Sequence, residues 1–177
     1  MGEQATFTPI DVELRDGRRV RLREIRPDDR DEIRQAFDRL SGGSRYTRFM
    51  STMKELSPEM LERAVHPQTE RELGLVAEVD APDGIDIVAG ARYYVQVDGE
   101  TCEFAVTVAD SWQGSGLASR LMRELIQFAR ARGLMHMEGF VLAGNTGMLT
   151  LARRLGFTVK PDPDDAMVKI VRLDLPV

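Results

Sequence analysis

Cysteine, tryptophan, histidine and long apolar runs are what this chain has little of. One cysteine, Cys102, among 177 residues excludes an internal disulfide framework and fits a reducing compartment. No apolar run approaches the roughly 18 residues that a membrane-crossing helix needs. The N-terminus also lacks the charged-then-apolar layout of a signal peptide, so the expectation is a cytoplasmic protein with no membrane partner. Met1-Gly2-Glu3-Gln4-Ala5-Thr6 matches a myristoylation pattern, but nothing polybasic follows as a second anchor, and it reads as coincidence. Neither sign of charge dominates. The net charge of −5 comes from 24 basic and 29 acidic residues, interspersed, which argues against a general nucleic-acid binder. The two histidines, His66 and His136, have no second ligand at metal spacing, so no metal is expected.

What is present is ordinary globular material, 42% hydrophobic and 30% charged, in a length that suits one domain over residues 1–177 with a core from about 20 to 175. Val20 to Ile25 alternates apolar and charged residues behind the turn Asp16-Gly17 and reads as a half-buried strand. Pro27 opens a helix carrying Ile33, Ala36, Phe37 and Leu40, stopped by Gly42-Gly43. Ser57-Pro58-Glu59 starts a second helix, with Ser57 as N-cap. Strands follow over Leu73–Val79, Ile87–Val97 and Thr101–Val108, joined through Ala81-Pro82-Asp83-Gly84 and the hairpin signal Asp98-Gly99. Next come a helix with Leu117, Leu121, Leu125 and Phe128 on one face, a strand from Met137 to Leu142, and a helix from Asn145 to Leu155 closed by Gly156. Phe157–Val159 and Met167–Leu175 complete the set. A meander followed by strand-helix-strand requires a mixed sheet, because a strand joined to the next through a crossover helix lies parallel to it. The fold class is therefore α/β.

The stretch Gln113-Gly114-Ser115-Gly116-Leu117-Ala118 lies where a strand gives way to a helix. Unpaired N–H groups and a partial positive charge at a helix start suit a phosphate, and small side chains let it reach the backbone. From the glycines alone, a tight strand-to-helix turn with no ligand stands beside that reading. No Lys-Ser or Lys-Thr follows as a P-loop requires, and the preceding strand ends a meander instead of opening a βαβ unit.

These six residues resemble the Q/R-x-x-G-x-G/A signature of the GNAT acyl-CoA-dependent N-acetyltransferases. Asn145 with Leu155-Gly156-Phe157 resembles that family's second motif, and the order of elements is similar to its fold from Val20 to Leu175. Further segments resemble the acetyltransferase domain of bacterial Pat-like protein-lysine acetyltransferases. They are Leu14-Arg15-Asp16-Gly17, Ile25-Arg26-Pro27-Asp28-Asp29, Leu40-Ser41, Ser44-Arg45-Tyr46 and Glu103-Phe104-Ala105-Val106. The resemblance implies a mixed, mainly antiparallel sheet with a splayed parallel strand pair at the acetyl-CoA site, flanked by helices. It implies acetyl-CoA as cosubstrate and an amine acceptor, first of all a protein lysine, with a polyamine or amino sugar as the same-class alternative and an acyl-CoA sensor as the non-catalytic one. It leaves a homodimer open. The large ligase-like or nucleotide-sensing domain carried by many Pat enzymes does not fit into this length.

By the resemblance, the pyrophosphate of coenzyme A sits at Gln113, Gly114, Ser115, Gly116, Leu117, Ala118 and Ser119. The pantetheine arm runs along Val106, Thr107 and Val108, with Asn145 opposite. A lysine amine with a pKa of about 10.4 must lose a proton before it can attack a thioester, and Glu103 falls where Pat-like enzymes carry their general base. Strand alternation puts Glu103, Ala105 and Thr107 on one face and Cys102, Phe104, Val106 and Val108 on the other. Read from that pattern alone, Glu103 is more readily an ordinary solvent-facing strand carboxylate, a preference that the resemblance reverses. Ala152 stands where many relatives carry a tyrosine that protonates the departing thiolate, which leaves the acid unassigned: Tyr46, Tyr93 and Tyr94 are substitutes, and a thiolate that leaves unaided is the other reading. The acidic run Asp162-Pro163-Asp164-Asp165 is expected to border the acceptor site.

Overall fold

The structure is a computed structural model that describes residues 6–41 and 57–176. The helix stop at Gly42-Gly43 and the Ser44-Arg45-Tyr46 segment, with the candidate acid Tyr46, lie outside the described residues. Eight strands form one sheet in the order β1-β2-β3-β4-β5-β6-β8-β7. In sequence these are β1 (Ile10–Glu13), β2 (Arg19–Glu24), β3 (Glu72–Ala81), β4 (Gly84–Val95), β5 (Thr101–Val108), β6 (His136–Leu142), β7 (Thr158–Asp162) and β8 (Asp165–Asp174). Among the described residues, four α-helices accompany them: α1 (Arg30–Arg39), α2 (Pro58–Val65), α3 (Leu117–Ala131) and α4 (Thr146–Arg154).

Every strand pairing is antiparallel except β5 with β6, the parallel pair joined through α3. That pair runs side by side for only three residues, Thr101–Glu103 against His136–Glu138, whereas β5 stays on β4 as far as Val108. Beyond Glu103, the strands therefore part.

One face of the sheet carries Leu73, Leu75, Ala77, Ala89, Ala91, Tyr93, Cys102 and Phe104, which share a buried cluster with Leu117, Leu121, Leu125 and Ala129 of α3. Burial of this apolar face is the main driving term for the fold. Leu117, Leu121 and Leu125 recur four apart and reach it as one stripe. The opposite face is covered by α1 and α2.

α1 is fixed to the sheet by charges. Arg23 on β2 makes two bonds of 2.8 Å to the Asp29 carboxylate, and its Nε lies 3.1 Å from Glu78 on β3. Arg23 and Asp29 are both buried, so each supplies the partner that the other's desolvated charge requires. Asp29 also accepts from Arg26 N–H at 2.7 Å, and Glu32 Oε1 accepts from Ile87 N–H on β4 at 2.9 Å. The helix expected to open at Pro27 begins instead as a 3-10 turn over Pro27–Asp29, because Asp29 turns in towards Arg23. It ends at Arg39, with Leu40 already extended. α2 starts as expected, with Ser57 Oγ accepting from Met60 N–H at 3.2 Å.

Candidate active site

The antiparallel registers of β3, β4 and β5 align nine residues on the face beneath α1 and α2. Glu72, Tyr94 and Glu103 form one cross-strand row; Gly74, Arg92 and Ala105 form the next; Val76, Gly90 and Thr107 form the third. All nine line a cavity of about 500 Å³ whose other walls include Ile33 and Phe37 of α1, Leu40 just beyond it, and Met60 and Arg63 of α2. The sequence alternation thus holds: Glu103, Ala105 and Thr107 share the face on which this chamber opens.

Glu103 is half-buried in the chamber floor, and its Oε2 accepts from the Tyr94 hydroxyl at 2.6 Å. That hydrogen bond, then burial, then the charge of Glu103 push the Tyr94 phenol up to about 12. Tyr94 thus stays a neutral donor through any ordinary assay range. Tyr93 lies on the other face, fully buried, and desolvation pushes it up to about 12 as well. Arg92 stands one row from Glu103, its Nη2 3.9 Å from Glu72 Oε1.

A second cavity, of about 810 Å³, opens where β5 and β6 part. It is lined by Val106, Thr107 and Val108 of β5, by the turn and first residues of α3, and by Asn145, Thr146, Met148 and Leu151 at α4. Thr107 lines both cavities. Gly114 and Gly116 adopt left-handed backbone, φ +77° and +89°, which a side chain would strain, and Gly116 caps α3. Gln113, Gly114, Gly116, Leu117, Ala118 and Ser119 all line this cavity. Ser115 does not: its side chain is buried, and its Oγ donates to the Trp112 carbonyl at 2.5 Å, closing the turn from inside. Asn145 combines two expected roles, since its Oδ1 accepts from Met148 N–H at 3.2 Å as an N-cap while the residue lines the cavity. Gln113 Nε2 donates to the Val108 carbonyl at 3.2 Å.

Other sequence candidates fall elsewhere. Cys102 is fully buried, its thiol pushed up to about 12 by desolvation. His136 Nδ1 lies 2.8 Å from Asp174 Oδ1, and His66 Nδ1 lies 3.0 Å from the Glu62 carbonyl oxygen. The carboxylates of Asp162 and Asp165 accept from Asp164 N–H and Met167 N–H at 2.9 Å, and the turn lines neither cavity. Ala152 is fully buried in α4, and no tyrosine among the described residues lines the second cavity. Two roles at the site escaped the sequence reading. Tyr94 acts on Glu103 through cross-strand register, and Arg15 reaches the second cavity from the β1–β2 hairpin. The only sequence signal for Arg15 was its place in the Leu14-Arg15-Asp16-Gly17 segment.

The parallel pair parts where a glycine turn starts the following helix, so the end of β5 and the first turn of α3 face one cavity. The family model described as acetyltransferase (GNAT) domain matches residues 19–158. The chain is similar to Acetyltransferase PA5475 of Pseudomonas aeruginosa, 39% identical over 162 residues that cover 92% of this chain and 87% of that one. It is also similar to Acetyltransferase Pat of Mycolicibacterium smegmatis, 30% identical over 161 residues, covering 86% of this chain but 45% of that longer one. The GNAT domain of S. lividans PAT superposes with a TM-score of 0.85 at 28% identity, covering 94% of this chain and 97% of that one. This protein belongs to the GNAT acetyltransferase family.

Proposed function

We propose that this acetyltransferase moves the acetyl group of acetyl-CoA directly onto a primary amine, with Glu103 as general base and a protein lysine as the acceptor. The observation that carries the reading is the meeting of the two cavities at Thr107, with Glu103 in the floor of one and the glycine turn at the end of the other. The first cavity takes the amine. The second takes the thioester, its pyrophosphate at Gly114, Gly116 and the first residues of α3, and its pantetheine arm against Val106, Val108 and Asn145. The choice of lysine as acceptor rests on the resemblance of the sequence to Pat-like protein-lysine acetyltransferases.

The chemistry follows from these positions. The ammonium loses its proton to Glu103, directly or through a water, and the neutral nitrogen attacks the thioester carbonyl carbon. The C–N bond forms as the carbonyl π pair moves to oxygen, where a backbone N–H near Val106 stabilises the negative charge. Collapse breaks the C–S bond, the nitrogen sheds its second proton to solvent to leave the neutral amide, and the thiolate of coenzyme A departs. Its thiol has a pKa of about 8.5, so it leaves as an anion without a dedicated acid. That agrees with Ala152 at the position where other relatives carry tyrosine. Tyr94 holds the Glu103 carboxylate in place and keeps its own proton.

The test is transfer of label from radiolabelled acetyl-CoA into a cell lysate separated into protein and small-molecule fractions, with wild type beside Glu103→Gln. Label on protein that disappears in the variant supports the whole reading. Label confined to small molecules keeps the mechanism and replaces lysine with a metabolite amine. Acetyl-CoA binding without transfer to either fraction overturns the enzymatic reading in favour of an acyl-CoA sensor.

A further inference from the structure

Arg15 sits at the tip of the β1–β2 hairpin, outside the glycine turn that the family signature describes. A Cβ placed on Gly116 would stand 3.0 Å from Arg15 Nε and 3.2 Å from its Nη2. The guanidinium therefore lies directly over the residue that caps α3, and it lines the second cavity. It forms no hydrogen bond or ion pair with any described residue.

The contrast with Arg18, on the same tip, is informative. Arg18 Nε donates to Asp16 Oδ2 at 2.9 Å, its Nη1 donates to the Ser111 carbonyl at 3.0 Å, and its guanidinium stacks on Trp112 at 3.9 Å. Arg18 thus clamps the hairpin to the glycine turn, and Asp16 is consumed in holding it. The hairpin closes on itself through Leu14 N–H to the Arg18 carbonyl at 2.8 Å and Gly17 N–H to the Leu14 carbonyl at 2.9 Å. Arg15 is carried on this clamped frame with its own donors unspent. Although the chain has a net charge of −5, the described lining of this cavity holds two arginines, Arg15 and Arg154, and no carboxylate.

We infer that Arg15 is a phosphate ligand of the cofactor, delivered by the β1–β2 hairpin to the pyrophosphate at the start of α3. The inference rests on the acetyl-CoA site proposed above. An exposed guanidinium fork with no partner among the described residues and the N–H groups of the first turn of α3 would both reach one doubly charged diester in this cavity.

Calorimetric titration of wild type, Arg15→Ala and Arg15→Lys with coenzyme A and with 3′-dephospho-coenzyme A tests this, beside ligand-free melting temperatures. The expected result is a loss of about tenfold or more in affinity for both ligands in Arg15→Ala, the size of one charge-assisted contact. Partial recovery is expected in Arg15→Lys, with unchanged melting. A loss confined to coenzyme A would move Arg15 to the 3′-phosphate and overturn the assignment. Unchanged affinity in Arg15→Ala would overturn it, as would a lowered melting temperature with no recovery in Arg15→Lys. Failure of the wild type to bind either ligand would overturn the proposed cofactor site itself, before any variant is compared.

Discussion

The ring of Phe104 lies where a side chain on Gly139 would have to go. A Cβ on Gly139 would meet Phe104 Cε1 at 2.4 Å and Cζ at 2.5 Å. Phe104 is on β5 just past the last residue paired with β6, and its ring packs edge-on against Phe157 with centroids 5.5 Å apart. The buried ring thus occupies the gap that opens as the two strands part.

Gly139→Ala is expected to destabilise the protein by about 1–3 kcal/mol, the usual range for overpacking a core. Urea melts check this. Combined with Phe104→Leu, the alanine should cost less than it does alone, because the smaller side chain vacates the space.

On the proposed mechanism, Glu103→Gln lowers kcat about 10²- to 10⁴-fold, the ordinary contribution of a general base. Acetyl-CoA affinity stays near the wild-type value, because Glu103 lines the amine chamber and not the cofactor cavity. Steady-state kinetics beside a direct binding titration separate the two effects.

Tyrosine titration reports the Tyr94–Glu103 contact. Tyr93 and Tyr94 are both raised from about 10 to about 12. A group whose folded pKa is raised contributes stability that is complete below its unfolded pKa, here about 10, and is lost as pH rises towards 12. Absorbance at the phenolate band should therefore show two tyrosines ionising well above pH 10, with melting temperature falling over the same interval. Glu103→Gln brings Tyr94 down towards its ordinary value, because the hydrogen bond and charge of Glu103 are two of the three causes of the shift. Tyr93, raised by burial, stays where it was.

The Arg23–Asp29 pair sets the acid limit. Burial pushes the Asp29 carboxyl up, but the Arg23 guanidinium and the Arg26 N–H outweigh it and hold the group below its ordinary value. A lowered folded pKa gives stability present above the unfolded value, about 3.9, and lost as pH falls through the folded one. Melting temperature should accordingly drop below about pH 4. Asp29→Asn, which leaves Arg23 buried without its carboxylate, should lose about 3–5 kcal/mol at neutral pH and flatten that acid limb.

Much of this architecture was legible in the chain because it rests on local periodicity. β5 falls on Thr101–Val108 as alternation requires, and the hairpin before it closes where Asp98-Gly99 signals. There Asp98 accepts from Glu100 N–H and Thr101 N–H at 2.9 and 2.8 Å. β1 passed unnoticed because four residues with only Val12 buried make too short a pattern. The start of α1 was misplaced because a buried ion pair, which no propensity encodes, draws Asp29 out of the α-helical turn. At the site, alternation gave the face of Glu103, and the glycine signature gave the residues around α3. Three features depended on tertiary placement: the Tyr94 hydroxyl on Glu103, the inward turn of Ser115, and the reach of Arg15 to Gly116.

Thr107, the residue shared by both cavities, also bears on traffic through the protein. If the amine and the thioester occupy these two chambers, they arrive from opposite sides of one strand, and neither has to leave before the other enters. On that reading the acetylated product and the free thiol would depart by separate exits. A single molecule that joins an amine-side group to coenzyme A through a short linker past Thr107 would block both exits at once. Enlarging residue 107 would then act as a partition, sparing each binding step while stopping exchange between them.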